Sequence, residues 1–461
     1  MAKLNKAVKA VPIYTHEGAR AVRITPYNEL RRSVCACMLW ENEFYEDGHS
    51  IADRIANIIT KVKPEQVAAL AIEAREKFKL RHIPLLLVRE LARHRYIGTA
   101  ETLSKVIQRP DELAEFLSIY WKDGRSPLSA QVKKGLASAF TKFNDYQLAK
   151  YNRDGAVKLR DVLFLSHAKP KDEEQAALWK KLIDGTLAPP DTWEVALSAG
   201  VDKKKTWERL LSEKKLGAMA LLRNLRNMKA ADVDQKVIFS ALQNMKVERI
   251  LPFRFIAAAR HAPQWEPQLE KAMLKCLSLN EKLPGHTAML LDVSGSMDEK
   301  LSSKSDMTRL DAACGVAMLL REVCEQVDIF TFSEKFIQIP ARRGFALRDA
   351  IDNSQDHSGT PLGLAVRAIY ETKGMIATMP GYGDRISYKC QGLSPDRLIV
   401  ITDEQSHDTV LNPSSGAGYM INVASYKNGV GYGAWNHIDG FSESVIDWIQ
   451  EYEKMESIVN K

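Results

Sequence analysis

The chain has 461 residues, 45% hydrophobic and 27% charged, which excludes a disordered polypeptide and provides for two or three domains with substantial cores. No apolar run approaches the length of a membrane span, and the N-terminus carries no signal-like stretch, so a cytoplasmic protein without membrane attachment is expected. The net charge of +7 is unevenly placed: before Pro284 there are 49 Lys+Arg against 34 Asp+Glu, and from Pro284 onward 16 against 24.

Residues 1 to about 30, with Pro12, Gly18 and Pro26, read as extended and irregular. From about 28 to 280 the periodicity is helical nearly throughout. Ile51, Ile55, Ile58, Ile59 and Val62 recur on one face, as do Leu85, Val88, Leu91 and Ala92, then Leu113, Leu117 and Tyr120. Prolines at 64, 84, 110, 127, 170, 189, 190 and 252 punctuate the helices, several at first-turn positions where proline is tolerated. Helices joined by short breaks predict stacked antiparallel pairs, a HEAT-like solenoid. No clean sequence repeat is present, which leaves an irregular bundle open. The basic excess of this part points to a polyanion partner, although lysine-rich surfaces also serve solubility.

Near Pro284 the grammar changes. Apolar runs at Ala288–Leu291, Val327–Phe332, Leu398–Thr402 and Tyr419–Ala424 alternate with helical stretches over about 308–325, 361–373 and 442–456. Such alternation predicts a parallel sheet covered on both faces. Met379 to Ser394, with Pro380, Gly381, Gly383 and Gly392, reads as a long loop. The predicted domains are thus 1–283, helical, and 284–461, α/β. The six cysteines (Cys35, Cys37, Cys276, Cys314, Cys324 and Cys390) form no C-x-x-C pair and no zinc spacing, so buried thiols in a reducing compartment are expected.

Directly after Ala288–Leu291 comes Asp292-Val293-Ser294-Gly295-Ser296-Met297. A strand end followed by oxygen side chains at every second position can converge them on one point. Oxygen-only ligands suit a hard divalent cation such as Mg²⁺. D-x-S-x-S alone is weak, since Asp, Ser and Gly are ordinary turn formers and Ser296 could simply cap the next helix. Two later segments strengthen it: Gly359-Thr360-Pro361-Leu362-Gly363 before a helix, and Leu398–Thr402 running into Asp403. Asp292 and Asp403 both sit at carboxyl ends of predicted strands, where open α/β sheets bind ligands. The set resembles the metal-ion-dependent adhesion site (MIDAS) of the von Willebrand factor A domain. That resemblance implies one Mg²⁺ held by Asp292, Ser294, Ser296, Thr360 and Asp403, with a position left for a partner's carboxylate.

Ala220-Leu221-Leu222-Arg223-Asn224-Leu225-Arg226-Asn227-Met228 and Leu163-Phe164-Leu165-Ser166-His167-Ala168-Lys169-Pro170 resemble signature segments of the TROVE domain. With the Asp292 motif, they make the chain similar to the Ro autoantigen family over almost its whole length. The resemblance implies a mostly α fold, a ring of HEAT-like helix pairs closed by an α/β von Willebrand A domain, and no enzymatic activity. It further implies Y RNA on the outer surface and single-stranded 3′ ends of misfolded small RNAs in the central hole. In bacteria it implies tethering of polynucleotide phosphorylase through Y RNA. The Y-RNA histidine matches His167, and the upstream basic positions match Lys150 and, offset by one because Asp154 takes the ungapped place, Arg153.

From the residues alone, His167 reads as a helix-end side chain bonding a final carbonyl. The resemblance makes it an RNA contact. Leu221, Leu225 and Met228 share a core stripe, while Arg223 and Arg226 project elsewhere and either line a hole or are solvated. The same ambiguity covers Arg89, Arg93, His94 and Arg95, and Lys133 with Lys134. Two rivals to an RNA-binding ring stand: a metal-dependent protein-interaction scaffold, and an Mg²⁺-dependent nuclease or phosphatase with Glu404 or His407 beside Asp403 as base or second ligand.

Overall fold

The structure is a computed structural model. It describes residues 13–21, 25–35, 48–198, 202–247, 250, 252–277, 282–301, 306–372, 375–378, 385–424, 429–431, 433–440, 445–446, 449–450 and 453. Two compact units emerge. One joins the first 25 residues to residues 281–441; the other contains residues 47–280 and the described residues of the C-terminal stretch. Residues 13–21, which the sequence placed with the helical part, therefore group with the α/β unit. The predicted helix over 442–456 falls largely outside the described residues.

Every described secondary-structure element of the second unit is a helix. Pro64–Glu76 packs on His82–Arg93, and Thr99–Val106 packs on α1 (Ala130–Phe140). Gly135 permits that second contact: a Cβ there would lie 2.9 Å from the carbonyl oxygen of Ala100. Ser129 caps α1 by accepting from Val132 N at 3.2 Å. Then come α2 (Asp145–Tyr151), capped by Asn144, and α3 (Leu159–Ser166), which packs on α1. Further on, α4 (Ala218–Ala230) packs on α5 (Pro252–His261). The stripe read from the sequence is the core: Leu221, Leu225 and Met228 are buried, while Arg223 and Arg226 are exposed.

In the first unit, β1 (Leu283–Asp292) is followed by α6 (Arg309–Val323), β2 (Cys324–Phe332), β3 (Phe336–Ile339), α7 (Leu362–Tyr370), β4 (Arg397–Thr402), β5 (Ala417–Asn422) and β6 (Asn436–Asp439). The sheet order is β6-β5-β4-β1-β2-β3, parallel except for β3, which pairs antiparallel to β2. Both faces are covered. Ala288, Leu290, Leu398 and Val400 join one core with Leu362, Val366 and Ile369 of α7, and the alternate residues Met289, Leu291, Ile399 and Ile401 are equally buried. That is why these strands read as unbroken apolar runs. Cys276, Cys314 and Cys324 are buried; the side chains of Cys35 and Cys37 lie outside the described residues.

The sequence missed short elements. Part of the stretch expected as a loop from Met379 to Ser394 is strand: Arg385–Tyr388 pairs antiparallel with Met375–Thr378, while 379–384 lie outside the described residues. Four-residue strands carry too few alternations to stand out from a glycine-rich background. The hairpin Ile13–Tyr14 with Arg20–Ala21 was missed for the same reason of length, and a helix at Gly344–Asp352 was missed as well. Among the described residues, no helix is long and apolar enough to cross a membrane.

Candidate functional sites

β1 and β4 are adjacent parallel strands with Leu291 opposite Ile401, so their carboxyl ends deliver Asp292 and Asp403 to the same edge. Chain connections leave in opposite directions from this pair, the position where α/β sheets open a crevice. Both carboxylates are fully buried, as are Ser294 and Thr360. Asp292 is held at both oxygens: Ser294 N donates to Oδ1 at 2.9 Å and Thr402 Oγ1 donates to Oδ2 at 2.5 Å. Ser294 Oγ and Ser296 Oγ lie 3.3 Å apart. Three loops are tied together here. Gly295 N donates to Ser358 O at 2.8 Å, Thr360 N donates to His407 Nδ1 at 3.0 Å, and Ser406 Oγ donates to Thr360 O at 3.2 Å. Gly363 allows a close approach of the loop after Asp403, since a Cβ there would collide with the Thr409 carbonyl at 2.2 Å.

Burial, and after it the neighbouring charge of Asp403, pushes the Asp292 carboxyl up to about 7. Two desolvated carboxylates with hydroxyls alongside form an oxygen-only donor set short of positive charge, which fits a hard divalent cation. Among the described residues no cluster of three His, Cys, Asp or Glu side chains exists, so a cation here would rest on two carboxylates plus hydroxyls. Arg309, missed from the sequence, supplies one charge. Its Nη1 lies 3.2 Å from Asp403 Oδ2 and 3.3 Å from Ser296 O, and both members of the pair are buried.

The neighbours suggested as a catalytic base are engaged elsewhere. Glu404 is fully buried, with φ at +60°, and its carboxylate meets His437 Nε2 and accepts from Gly431 N at 3.1 Å. His407 accepts from Thr360 N through Nδ1 and has Nε2 3.2 Å from Glu17 Oε2. The turn carrying Glu17 is fastened to the same loop: Thr15 Oγ1 donates to Ser406 O, and His16 N donates to Gln405 Oε1, each at 2.8 Å. Glu404 and His407 are therefore held in structural contacts.

In the helical unit, ion pairing separates the basic residues into two groups. Arg89 is buried and paired with Asp123; Arg93 bonds Asp123 at 2.8 Å and Glu90 at 3.3 Å. Their charge is internally compensated. By contrast, no carboxylate among the described residues lies within ion-pairing distance of Lys133, Lys134, Lys150, Arg153 or Lys169. Lys133 on α1 places Nζ 3.4 Å from Nε2 of exposed His167, which ends α3 in a left-handed conformation at φ +53°. Lys150 on α2 sits over the rings of Tyr146 and Tyr151, at 5.9 and 5.8 Å. Arg153 is exposed on the following loop, and Lys134 is exposed beside Lys133. On α4, Arg223 approaches Arg254 of α5 closely enough that desolvation, followed by this like charge, lowers the Arg254 pKa. Arg254 carried no sequence signal, because its nearness to Arg223 arises only from helix packing.

Fold and sites define a helical-repeat protein with an appended parallel α/β domain bearing an oxygen-lined loop cluster. Residues 184–328 match the family model of the TROVE domain. The crystal structure of the Deinococcus radiodurans RO (RSR) protein matches with a TM-score of 0.57 at 16% identity, over 91% of this chain and 97% of that one. Residues 184–328 are thus similar to the TROVE domain, and the chain has the fold of that RO protein. Telomerase protein component 1 of Mus musculus is 36% identical over 89 residues, 18% of this chain, and that of Rattus norvegicus is 35% identical over 89 residues. The chain spans 3% of the length of these two relatives.

Proposed function

We propose that the protein is a non-enzymatic, cytoplasmic RNA-binding ring acting in quality control or decay of non-coding RNA. The observation that supports this best is the set of uncompensated cations within residues 133–153 (Lys133, Lys134, Lys150, Arg153), of which Lys133 meets His167, while Arg89 and Arg93 are neutralised by carboxylates. Cations held without acidic partners are available to phosphates. On this reading a Y RNA occupies that outer face. Single-stranded 3′ ends of misfolded RNAs enter the central hole implied by the Ro resemblance, with Arg223, Arg226 and Arg254 as phosphate contacts. Selection would come from shape: a hole admits a loose end and rejects a folded one. Polynucleotide phosphorylase is a partner this reading allows through the Y RNA.

Asp292, Ser294, Ser296, Thr360 and Asp403 would hold one Mg²⁺, which would organise the loops for an acidic ligand. The buried carboxylate pair supports that assignment, and the engagement of Glu404 and His407 weighs against a nuclease.

Binding to a single-stranded RNA measured against salt tests the electrostatic core of the proposal. For about six phosphate contacts, log affinity should fall against log salt with a slope near −4; a slope near zero overturns it. Sequencing RNA that co-purifies from cells identifies the ligand, and protein recovered free of RNA but bound to a protein partner through Mg²⁺ favours the scaffold reading.

A further inference from the structure

Phe164 stands on α3 with 58% of its surface exposed, while Val162, Leu163 and Ser166 of the same helix are buried. A single exposed apolar side chain is ordinary and carries nothing by itself. Its surroundings differ from that ordinary case. Arg160 lies one turn before it on the same helical face and is exposed. His167 lies three residues after it, held outside the helix by a left-handed backbone that side chains other than glycine seldom adopt. Lys133 crosses from α1 to His167 Nε2 at 3.4 Å. An ammonium has donors only, so when it bonds Nε2 the ring proton sits on Nδ1 and that donor remains for a ligand.

Arg160 has only a loose contact to Asp161, at 3.9 Å, and Lys133, Lys134 and Lys169 have no acidic partner among the described residues. An exposed aromatic ring with a loosely paired arginine one turn before it and an uncompensated lysine at its helix end has the two features that single-stranded nucleic acid recognises: a π-face for the base and positive charge for the flanking phosphates. An acidic peptide would satisfy the cations and leave the ring without a role.

We propose that Phe164 is a stacking platform for one unpaired nucleobase, with the phosphates on either side held by Arg160 and Lys133. The inference rests on the RNA-binding reading above and sharpens it. The outer face would take RNA at a position where a base is unstacked, and would discriminate against continuous duplex.

The experiment uses the full chain and two labelled RNAs, a blunt hairpin and the same hairpin with a short unpaired tail carrying 2-aminopurine. Phe164→Ala should weaken binding of the tailed RNA about tenfold, in line with the loss of one stacked base. It should leave blunt-hairpin affinity and the salt slope unchanged, because no phosphate contact is lost. Phe164→Trp should restore affinity and 2-aminopurine quenching. Lys133→Ala should instead reduce the salt slope by about 0.7. Equal binding of the tailed RNA by wild type and Phe164→Ala overturns the platform while leaving RNA binding intact. If wild type binds neither RNA at low salt, the RNA-binding reading falls and the platform with it. A poly-glutamate peptide whose binding depends on Phe164, with no such dependence for RNA, would make this a protein dock and also overturn the proposal.

Discussion

His407 and Thr360 hold each other through both backbones and a ring: His407 N donates to Thr360 O at 3.0 Å, and Thr360 N donates to His407 Nδ1, also at 3.0 Å. Glu17, 390 residues earlier in the chain, faces the opposite ring nitrogen at 3.2 Å. The loop that presents Asp403 is thereby fastened to the loop that presents Thr360 and to the N-terminal turn.

His407→Ala leaves the buried Thr360 N–H without its acceptor, at a cost of about 1–3 kcal/mol. The α/β unit should unfold at lower temperature, and hydrogen exchange should rise around Thr360 and residues 403–408. Glu17→Gln keeps the shape and should have a smaller effect. Equal exchange in His407→Ala and wild type contradicts the fastening role.

Mg²⁺ should raise the unfolding temperature, since a ligand that binds only the native state stabilises it by about 2.7 kcal/mol at roughly 100 times its Kd. Asp292→Asn should abolish that response. In EDTA the same variant should be at least as stable as wild type, because it removes one of two mutually repelling buried carboxylates. A wild-type melt unmoved by Mg²⁺ removes the cation from the account.

Arg309 is the internal countercharge of Asp403, with both groups buried. Arg309→Met removes that countercharge from buried Asp403 and should cost about 3–5 kcal/mol in EDTA. Mg²⁺ should recover part of this, so the variant's Mg²⁺-induced shift in calorimetry should exceed that of wild type. A shift no larger than wild type would separate Arg309 from the cation site.

His357 sits between Asp298, at 2.8 Å from Nδ1, and the Asp352 carbonyl, at 3.0 Å from Nε2. Burial works against its charged form, but the bond and charge of Asp298 win, and the imidazole pKa lies above its ordinary 6.5. A raised histidine stabilises fully below the unfolded-state pKa and loses that contribution as pH rises through the folded value. The stability gap between wild type and His357→Gln should therefore be widest below pH about 6.5 and close on the alkaline side. A gap constant with pH would show that His357 acts by packing alone.

Charge pairing predicts which basic residues matter for RNA. Lys133→Ala and His167→Ser should weaken binding of structured RNA, while Arg93→Ala should leave the affinity unchanged, since Asp123 and Glu90 already occupy its guanidinium. Filter binding of the three variants at one salt concentration decides this, and a loss with Arg93→Ala equal to that with Lys133→Ala would refute the distinction.

Local pattern was enough for much of this molecule. Alternating apolar runs and helical stretches announced a parallel sheet, because strands covered on both faces must be apolar at every position. The nearness of Asp292 to Asp403 was legible because both stand at the carboxyl ends of apolar strands; Ser294 and Ser296 lie beyond the strand, Ser296 in a 3-10 turn over Gly295–Asp298, so strand alternation does not place them. The core stripe of Leu221, Leu225 and Met228 followed from helical period alone. Tertiary structure decided the rest, where the determining distance spans many residues and leaves no local trace. Arg309 meets Asp403 across 94 positions, and Thr15 meets Ser406 across 391. Arg89 and Arg93 look as available in sequence as Lys133 and Lys134; only the placement of Asp123 against the first pair neutralises one set and leaves the other open. Charge and hydropathy are properties of single residues, but compensation and exposure belong to pairs and surfaces that exist only once the chain has packed.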